Sequence, residues 1–178
     1  GTYVKKAMKG ELPLFEKAQS LQEELMMLMP EEPGDEPLAL QKYLVRNAKK
    51  IALMAAGLAV QKFGEKLEEE QEILVNIADI VSFTYAMESA VLRTEKAIAR
   101  DGLEKSKQKL LYTEIFAQAA FNRIEADAKE TLIAVSGGDT QRMLLSSLRK
   151  LTRYTPINVI PKKREAADKL IEAEKYIV

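Results

Sequence analysis

The sequence predicts an all-α protein, an antiparallel helical bundle. Three observations carry this. Apolar residues recur at the 3.6-residue spacing of a helix face over long stretches. The breaks between those stretches are short and hold Gly, Pro or Asp. No segment alternates apolar and polar residues with period two over a useful length. Ile157 to Ile160 is strand-like but too short to build a sheet.

The elements follow in order. Thr2 to Lys9 reads as a short helix ending at Gly10, and Leu12 to Met29 as a second, with Leu14, Ala18, Leu21, Leu25 and Leu28 at helical spacing. Pro30-Glu-Glu-Pro-Gly-Asp-Glu-Pro37 cannot continue a helix and reads as a loop. Asp35 is a candidate N-cap for the next helix, with Pro37 in its first turn. The third helix covers about Leu38 to Phe63, with Leu40, Leu44, Ala48, Ile51, Ala55, Leu58 and Ala59 inward. Its Ala52, Ala55, Ala56, Gly57 and Ala59 make a thin stretch that admits a close neighbour. Gly64 stops it.

The fourth helix covers about Glu65 to Arg100, with Leu67, Leu74, Ile77, Val81, Tyr85, Leu92 and Ile98 on its inward face. Asp101-Gly102 ends it in an αL turn. The fifth covers about Leu103 to Val135, with Leu110, Leu111, Ile115, Ala119, Ile124, Ala128 and Leu132 inward, and Ser136-Gly137-Gly138 breaks it. Asp139 caps a sixth helix that buries Met143, Leu144, Leu148 and Leu151, and Tyr154-Thr-Pro156 ends it. Pro161 opens a last helix to about Lys175, with Ala166, Leu170 and Ala173 inward. The chain thus reads as one domain over 1–178: N-terminal helices in 1–29, a Pro-rich loop in 30–37, three long helices in 38–135 and two short ones in 139–178.

Composition narrows the chemistry. The 178 residues hold no Cys, His or Trp, with 27 basic and 27 acidic side chains. Without Cys there are no disulfides, thiolate nucleophiles or zinc fingers. Without His there are no Ser-His-Asp triads, HExxH sites or Glu-x-x-His di-iron centres. No metal site is expected. Zero net charge gives no global attraction to nucleic acid or membrane. The distribution is uneven, however: 10–40 is strongly acidic and 141–178 basic. No signal peptide opens the chain, and no apolar run reaches the ~20 residues of a membrane span. Ile51 to Val60 therefore reads as a buried core segment. A chain opening on Gly1 is expected to be an excised or processed piece, and its location cytoplasmic.

Few residues suggest chemistry. Glu88, on one stripe with Val81, Tyr85 and Leu92, is either a general base or one half of an ion pair with another helix. The run Glu68-Glu-Glu-Gln-Glu72 suits a helix start, where the dipole favours acids. Leu25-Met-Met-Leu-Met29 cannot face one core throughout, so Met26, Met27 and Met29 form a candidate interaction surface. Arg142, Arg149 and Arg153 lie on a basic amphipathic segment that docks its apolar side on the bundle, lies on an anionic membrane surface or meets a nucleotide phosphate. Gly137-Gly138-Asp139 lacks the strand and Gly-Lys-Ser ending of a phosphate-binding loop. A helix-turn-helix over Arg123 to Arg153 fails because the flanking helices are too long, so no nucleic-acid partner is expected.

Four blocks together carry a family resemblance: Leu25-Met-Met-Leu-Met-Pro-Glu-Glu-Pro33, Tyr43 to Leu53, Met87 to Lys96, and Gly137-Gly-Asp-Thr-Gln-Arg-Met-Leu-Leu-Ser-Ser-Leu-Arg-Lys-Leu151. In order and spacing the chain resembles the C-terminal helical extension of long- and very-long-chain acyl-CoA dehydrogenases. The resemblance implies a parent flavoprotein of fatty-acid β-oxidation. Such an enzyme forms a trans-2-enoyl-CoA: a glutamate takes the α proton while FAD accepts a hydride from the β carbon. It implies no cofactor in this part, with FAD held by the parent's core. The implied partners are that core, a second subunit in a homodimer, and a membrane touched peripherally.

The core's last helical domain usually carries Glu-Gly-Thr-x-x-Ile-Gln-Arg, and Thr140-Gln-Arg-Met-Leu-Leu145 is similar to its end. In that register Ser136 takes the Gly position and Val135 the Glu position, so no catalytic residue is expected here. Two other readings stay open: a self-contained helical enzyme, and a free-standing adaptor or membrane-surface module.

Overall fold

A computed structural model describes Ser20, Glu24 and residues 32–175. Apart from Ser20 and Glu24, the two helices expected within 1–29, and with them Met26, Met27 and Met29, lie outside these described residues. Among the described residues the protein is helical, with no strand. The elements are α1 (Ala39–Phe63), a 3-10 turn (Gly64–Glu69), α2 (Gln71–Asp101), α3 (Leu103–Val135), α4 (Gly138–Leu151) and α5 (Val159–Ala173).

The long helices α1, α2 and α3 pack on one another pairwise. Lys42 pairs with Glu95 and Lys49 with Glu88, so α2 runs back as α1 runs forward. Between α2 and α3 the hydroxyls of Thr94 and Thr113 meet at 2.7 Å in the interior. The core joins Leu44, Ala48, Ile51 and Ala55 of α1 to Ile80, Met87 and Val91 of α2. It continues through Ala117, Phe121, Ile124, Ala128 and Leu132 of α3 and Leu144, Leu148 and Leu151 of α4. The thin stretch of α1 is buried as its composition predicts, with Ala55, Gly57 and Ala59 inside.

Glycine sets the ends of α1 and α2. Gly64, at φ 54°, donates its N–H to the Val60 carbonyl and stops α1. Gly102 stops α2 at φ 86° and ψ 161°, which is an extended positive-φ geometry and not the αL turn expected. Glycine adopts it because it has no Cβ.

Four helix starts differ from the sequence reading, the last by two residues, at Val159 instead of Pro161. Leu38, not Asp35, occupies the N-cap of α1, at φ 70° and without a side-chain cap. That backbone conformation is costly for a β-carbon residue, and the burial of Leu38 offsets the cost. The fourth helix does not begin at Glu65: the chain makes a 3-10 turn first and restarts at Gln71. The turn lets Leu67 fold inward against Ala59, Val60, Ile73 and Val135. Asp139 does not cap α4. Gly137 holds that position, and Asp139 sits in the first turn, paired with Arg142 at 2.9 Å.

The last helix starts at Val159, where the Asn158 side chain accepts from the Ile160 N–H at 3.1 Å. Pro161 sits in that first turn, where no backbone donor is required. The strand-like Ile157 is clamped by one side chain instead of a strand. Gln118 donates to its carbonyl at 2.9 Å and accepts from its N–H at 2.8 Å.

The inward face of α2 is rotated by one residue from the one expected. Ile73, Asn76, Ile80, Thr84, Met87, Val91, Thr94 and Ala97 are buried, whereas Val81, Tyr85 and Leu92 are exposed. The same correction applies locally to Met143 on α4, which is exposed, and to Ala119 on α3, where Ala117 and Ala120 face inward.

Candidate functional site

Helix α4 is fixed by α1 in a way that displays its basic side. A helix leaves its last carbonyls without intrahelical partners. Asn47 of α1, itself buried, donates to the Leu151 carbonyl at 2.8 Å, and the Tyr43 hydroxyl donates to the Arg153 carbonyl at 3.1 Å. Leu144, Leu148 and Leu151 enter the core, so the apolar side docks on the bundle. Arg142 and Arg149 on α4, and Arg153 just past its end, remain exposed, spaced to share one side at helical periodicity.

Glu88 is the rung of an interhelical ladder. Its carboxylate takes the Lys49 ammonium at 2.5 Å and stays 36% exposed. It lines a shallow groove of about 300 Å³ between α1 and α2, with Lys42, Arg46, Lys49 and Leu92. No second carboxylate lines that groove to act as its acid or base partner. An exposed pair of this kind contributes about 0.2–1 kcal/mol to the fold.

The run from Glu68 to Glu72 straddles the junction of the 3-10 turn and α2, with Glu72 in the first turn where the dipole favours it. Val135 is 6% exposed in the apolar cluster with Leu67 and Ile73. Ser136 donates its hydroxyl back to the Leu132 carbonyl at 2.5 Å. Neither side chain is placed to move a proton. No cluster of three metal-ligating side chains occurs among the described residues.

Two features went unread in the sequence. The first is Asp127 on α3, 2% exposed, beside Arg123 at 3.0 Å. Burial raises its carboxyl from its ordinary value, and the Arg123 guanidinium acts in the opposite sense. Arg123 also faces Asp79 of α2 at 3.7 Å. The signal was available: Arg123 and Asp127 are four residues apart, flanking Ile124 and Ala128 on the apolar stripe.

The second is the outward face of α2. Val81, Tyr85 and Leu92 are exposed along one side, Tyr85 at 73%, and Val75 is exposed on another side of the same helix. A run of large apolar side chains along one exposed helix face marks a contact surface. By length and composition α2 could even cross a bilayer, but its opposite face holds the bundle core.

Comparison with known proteins agrees with this architecture. The profile of the acyl-CoA dehydrogenase C-terminal domain matches residues 47–150. A protein of Bacillus subtilis (strain 168) described as a "probable acyl-CoA dehydrogenase" is 72% identical over 177 residues. That alignment takes in 99% of this chain but 30% of the relative. The crystal structure of an acyl-CoA dehydrogenase complexed with FAD from Bacillus anthracis superposes with a TM-score of 0.94 at 76% identity, covering 100% of this chain and 30% of that one. The chain therefore spans about a third of the length of the proteins it matches, and it belongs to the acyl-CoA dehydrogenase C-terminal domain family.

Proposed function

We propose that this chain is the non-catalytic C-terminal domain of an FAD-dependent acyl-CoA dehydrogenase of fatty-acid β-oxidation, and that it supports association of the parent enzyme. The observation that carries the reading is the outward face of α2, where Val81, Tyr85 and Leu92 stand in solvent on a rigid, well-packed helix. Aromatic and aliphatic side chains so placed suit burial against the parent's core or the second subunit of a homodimer.

The residues here do not fit the flavin or its base. Glu88 is tied to Lys49, and Val135 is packed among apolar side chains. Binding of FAD, removal of the α proton and transfer of the hydride accordingly belong to the remainder of the parent. The exposed arginines of α4 and the apolar length of α2 also favour a second reading, peripheral contact with an anionic membrane.

The test uses the full-length protein with Val81→Glu and Leu92→Glu together. Sedimentation velocity is expected to show a smaller assembly than the wild type, with each flavin still bound. Unchanged sedimentation, together with loss of binding to anionic vesicles, would replace the subunit reading with the membrane one. No change in either refutes the contact surface.

A further inference from the structure

The α2–α3 hairpin holds a second feature, distinct from the apolar face. Between α2, α3 and Leu170 of α5 lies a cleft of about 840 Å³, within the size range of small-molecule sites. Arg93, Lys96 and Arg100 of α2 line it at helical spacing, and Lys109 of α3 faces them; no acidic side chain is in the lining. Several carboxylates of the surrounding helices are paired with other cations. Glu95 holds Lys42, Glu104 holds Lys107, Glu114 holds Lys162 and Glu165 holds Lys169. Asp101, at the cleft's end, takes Arg100 of the lining through both oxygens, at 2.9 and 2.7 Å, and also interacts electrostatically with Lys109, so Arg100 is not free for a ligand. Arg93, Lys96 and Lys109 have no ion-pair partner among the described residues.

A second observation touches the cleft at Tyr112. Among the described residues, four buried side-chain atoms have no hydrogen-bond partner: Ser106 Oγ, Gln108 Nε2 and Oε1, and the Tyr112 hydroxyl. All belong to the first third of α3. Gln108 and Tyr112 are one turn apart on the same side of the helix, and Tyr112 lines the cleft. Native proteins leave few buried polar groups unpaired, so the Tyr112 hydroxyl at the cleft wall calls for a partner such as a water, an ion or a ligand group.

We propose that this cleft binds a phosphate-bearing ligand of nucleotide size. Arg93, Lys96 and Lys109 neutralise the phosphate, while Ala90, Ala97, Tyr112 and Leu170 supply an apolar wall for the organic part. Arginine and lysine both suit phosphate, the first by its planar fork and the second as a point charge. The shared chemistry is the phosphate. Its source could be the nucleotide end of coenzyme A, a free nucleotide, or an inorganic polyphosphate, and the test separates them.

The experiment is calorimetric titration of the flavin-loaded full-length protein with coenzyme A, ATP and inorganic pyrophosphate in turn. The comparison is the variant Arg93→Gln, Lys96→Gln, Lys109→Gln, whose substitutions are confined to the cleft wall. Wild type is expected to bind at least one compound at a site that weakens roughly tenfold in the variant and weakens with added salt. Binding of all three assigns recognition to the phosphates themselves, and binding of coenzyme A alone assigns it to that molecule's nucleotide end. Tyr112→Phe keeps the wall and removes the hydroxyl, so a severalfold loss in it as well places that hydroxyl in the site. The proposal is overturned if no compound binds, or if wild type and triple variant bind with the same stoichiometry and affinity.

Discussion

Replacing Asn47 with Ala tests how the bundle holds its basic helix. The Asn47 side chain is 4% exposed and donates at 2.8 Å to the Leu151 carbonyl, the last residue of α4. Truncation leaves that carbonyl in the interior without its donor, which costs about 1–3 kcal/mol. For a domain of this size 1 kcal/mol moves the midpoint by roughly 2–4 °C, so the expected drop is about 2–12 °C. Tyr43→Phe removes the neighbouring bond to the Arg153 carbonyl, which is only partly buried, and is expected to cost about 0.5–1.5 kcal/mol. Both bonds close the same helix end, so the double variant should depart from additivity by about 0.5 kcal/mol or more. Thermal unfolding of the 178-residue chain, followed by far-UV circular dichroism, measures all three. If Asn47→Ala melts within about 1 °C of wild type, the Leu151 carbonyl has another donor and α4 is not held as described.

Two further outcomes follow from the core. Asp127 keeps its proton more tightly in the folded than in the unfolded chain, because burial raises its carboxyl. Its protonated form therefore favours folding at low pH, and that contribution is lost as pH rises through the raised folded value. Asp127→Asn should gain stability relative to wild type as pH climbs from about 4, the ordinary aspartate value. Urea titrations at several pH values that show a constant gap between the two would contradict this. Phe121, fully buried and edge-on to Tyr154 at 5.6 Å, fills the junction of α3 with the segment after α4. Phe121→Ala should cost about 3–5 kcal/mol, read from the urea midpoint.

The parts of the fold legible in the sequence are those set by local rules. Gly64 and Gly102 end helices because the turns there need a positive φ, which is a property of the residue itself. The stripe Leu44, Ala48, Ile51, Ala55 of α1 was legible because small and large apolar residues fall on one face of a helix surrounded by others. The face of α2 was not. Its apolar residues occupy two stripes about one residue apart, so periodicity alone does not choose between them. Close packing against α1 and α3 chose the stripe with Thr84 and Thr94, which are small, over the one with Tyr85. The helix starts at Leu38 and Gln71 were hidden for a similar reason: burial of Leu38 and Leu67 outweighs the local preference for a polar cap or a continuous helix.

Of the candidate residues, Glu88 was legible as an ion-pair partner, since Lys49 stands on a neighbouring helix of similar length. Asp127 was overlooked because an apolar stripe draws attention to its aliphatic members and away from the acid between them. The cations of the cleft lie on two helices, and only the hairpin's geometry brings Lys109 opposite Arg93 and Lys96.

The proposal that flavin chemistry lies outside this chain has a direct test. The most direct test mixes the purified chain with FAD and a long-chain acyl-CoA and follows the visible absorbance of the flavin, with the full-length protein as the positive control. Reduction is expected with the full-length protein, and an unchanged flavin spectrum with the chain alone. Bleaching that requires the chain and disappears in Glu88→Gln would contradict it, because the Lys49-bound carboxylate would then be the base.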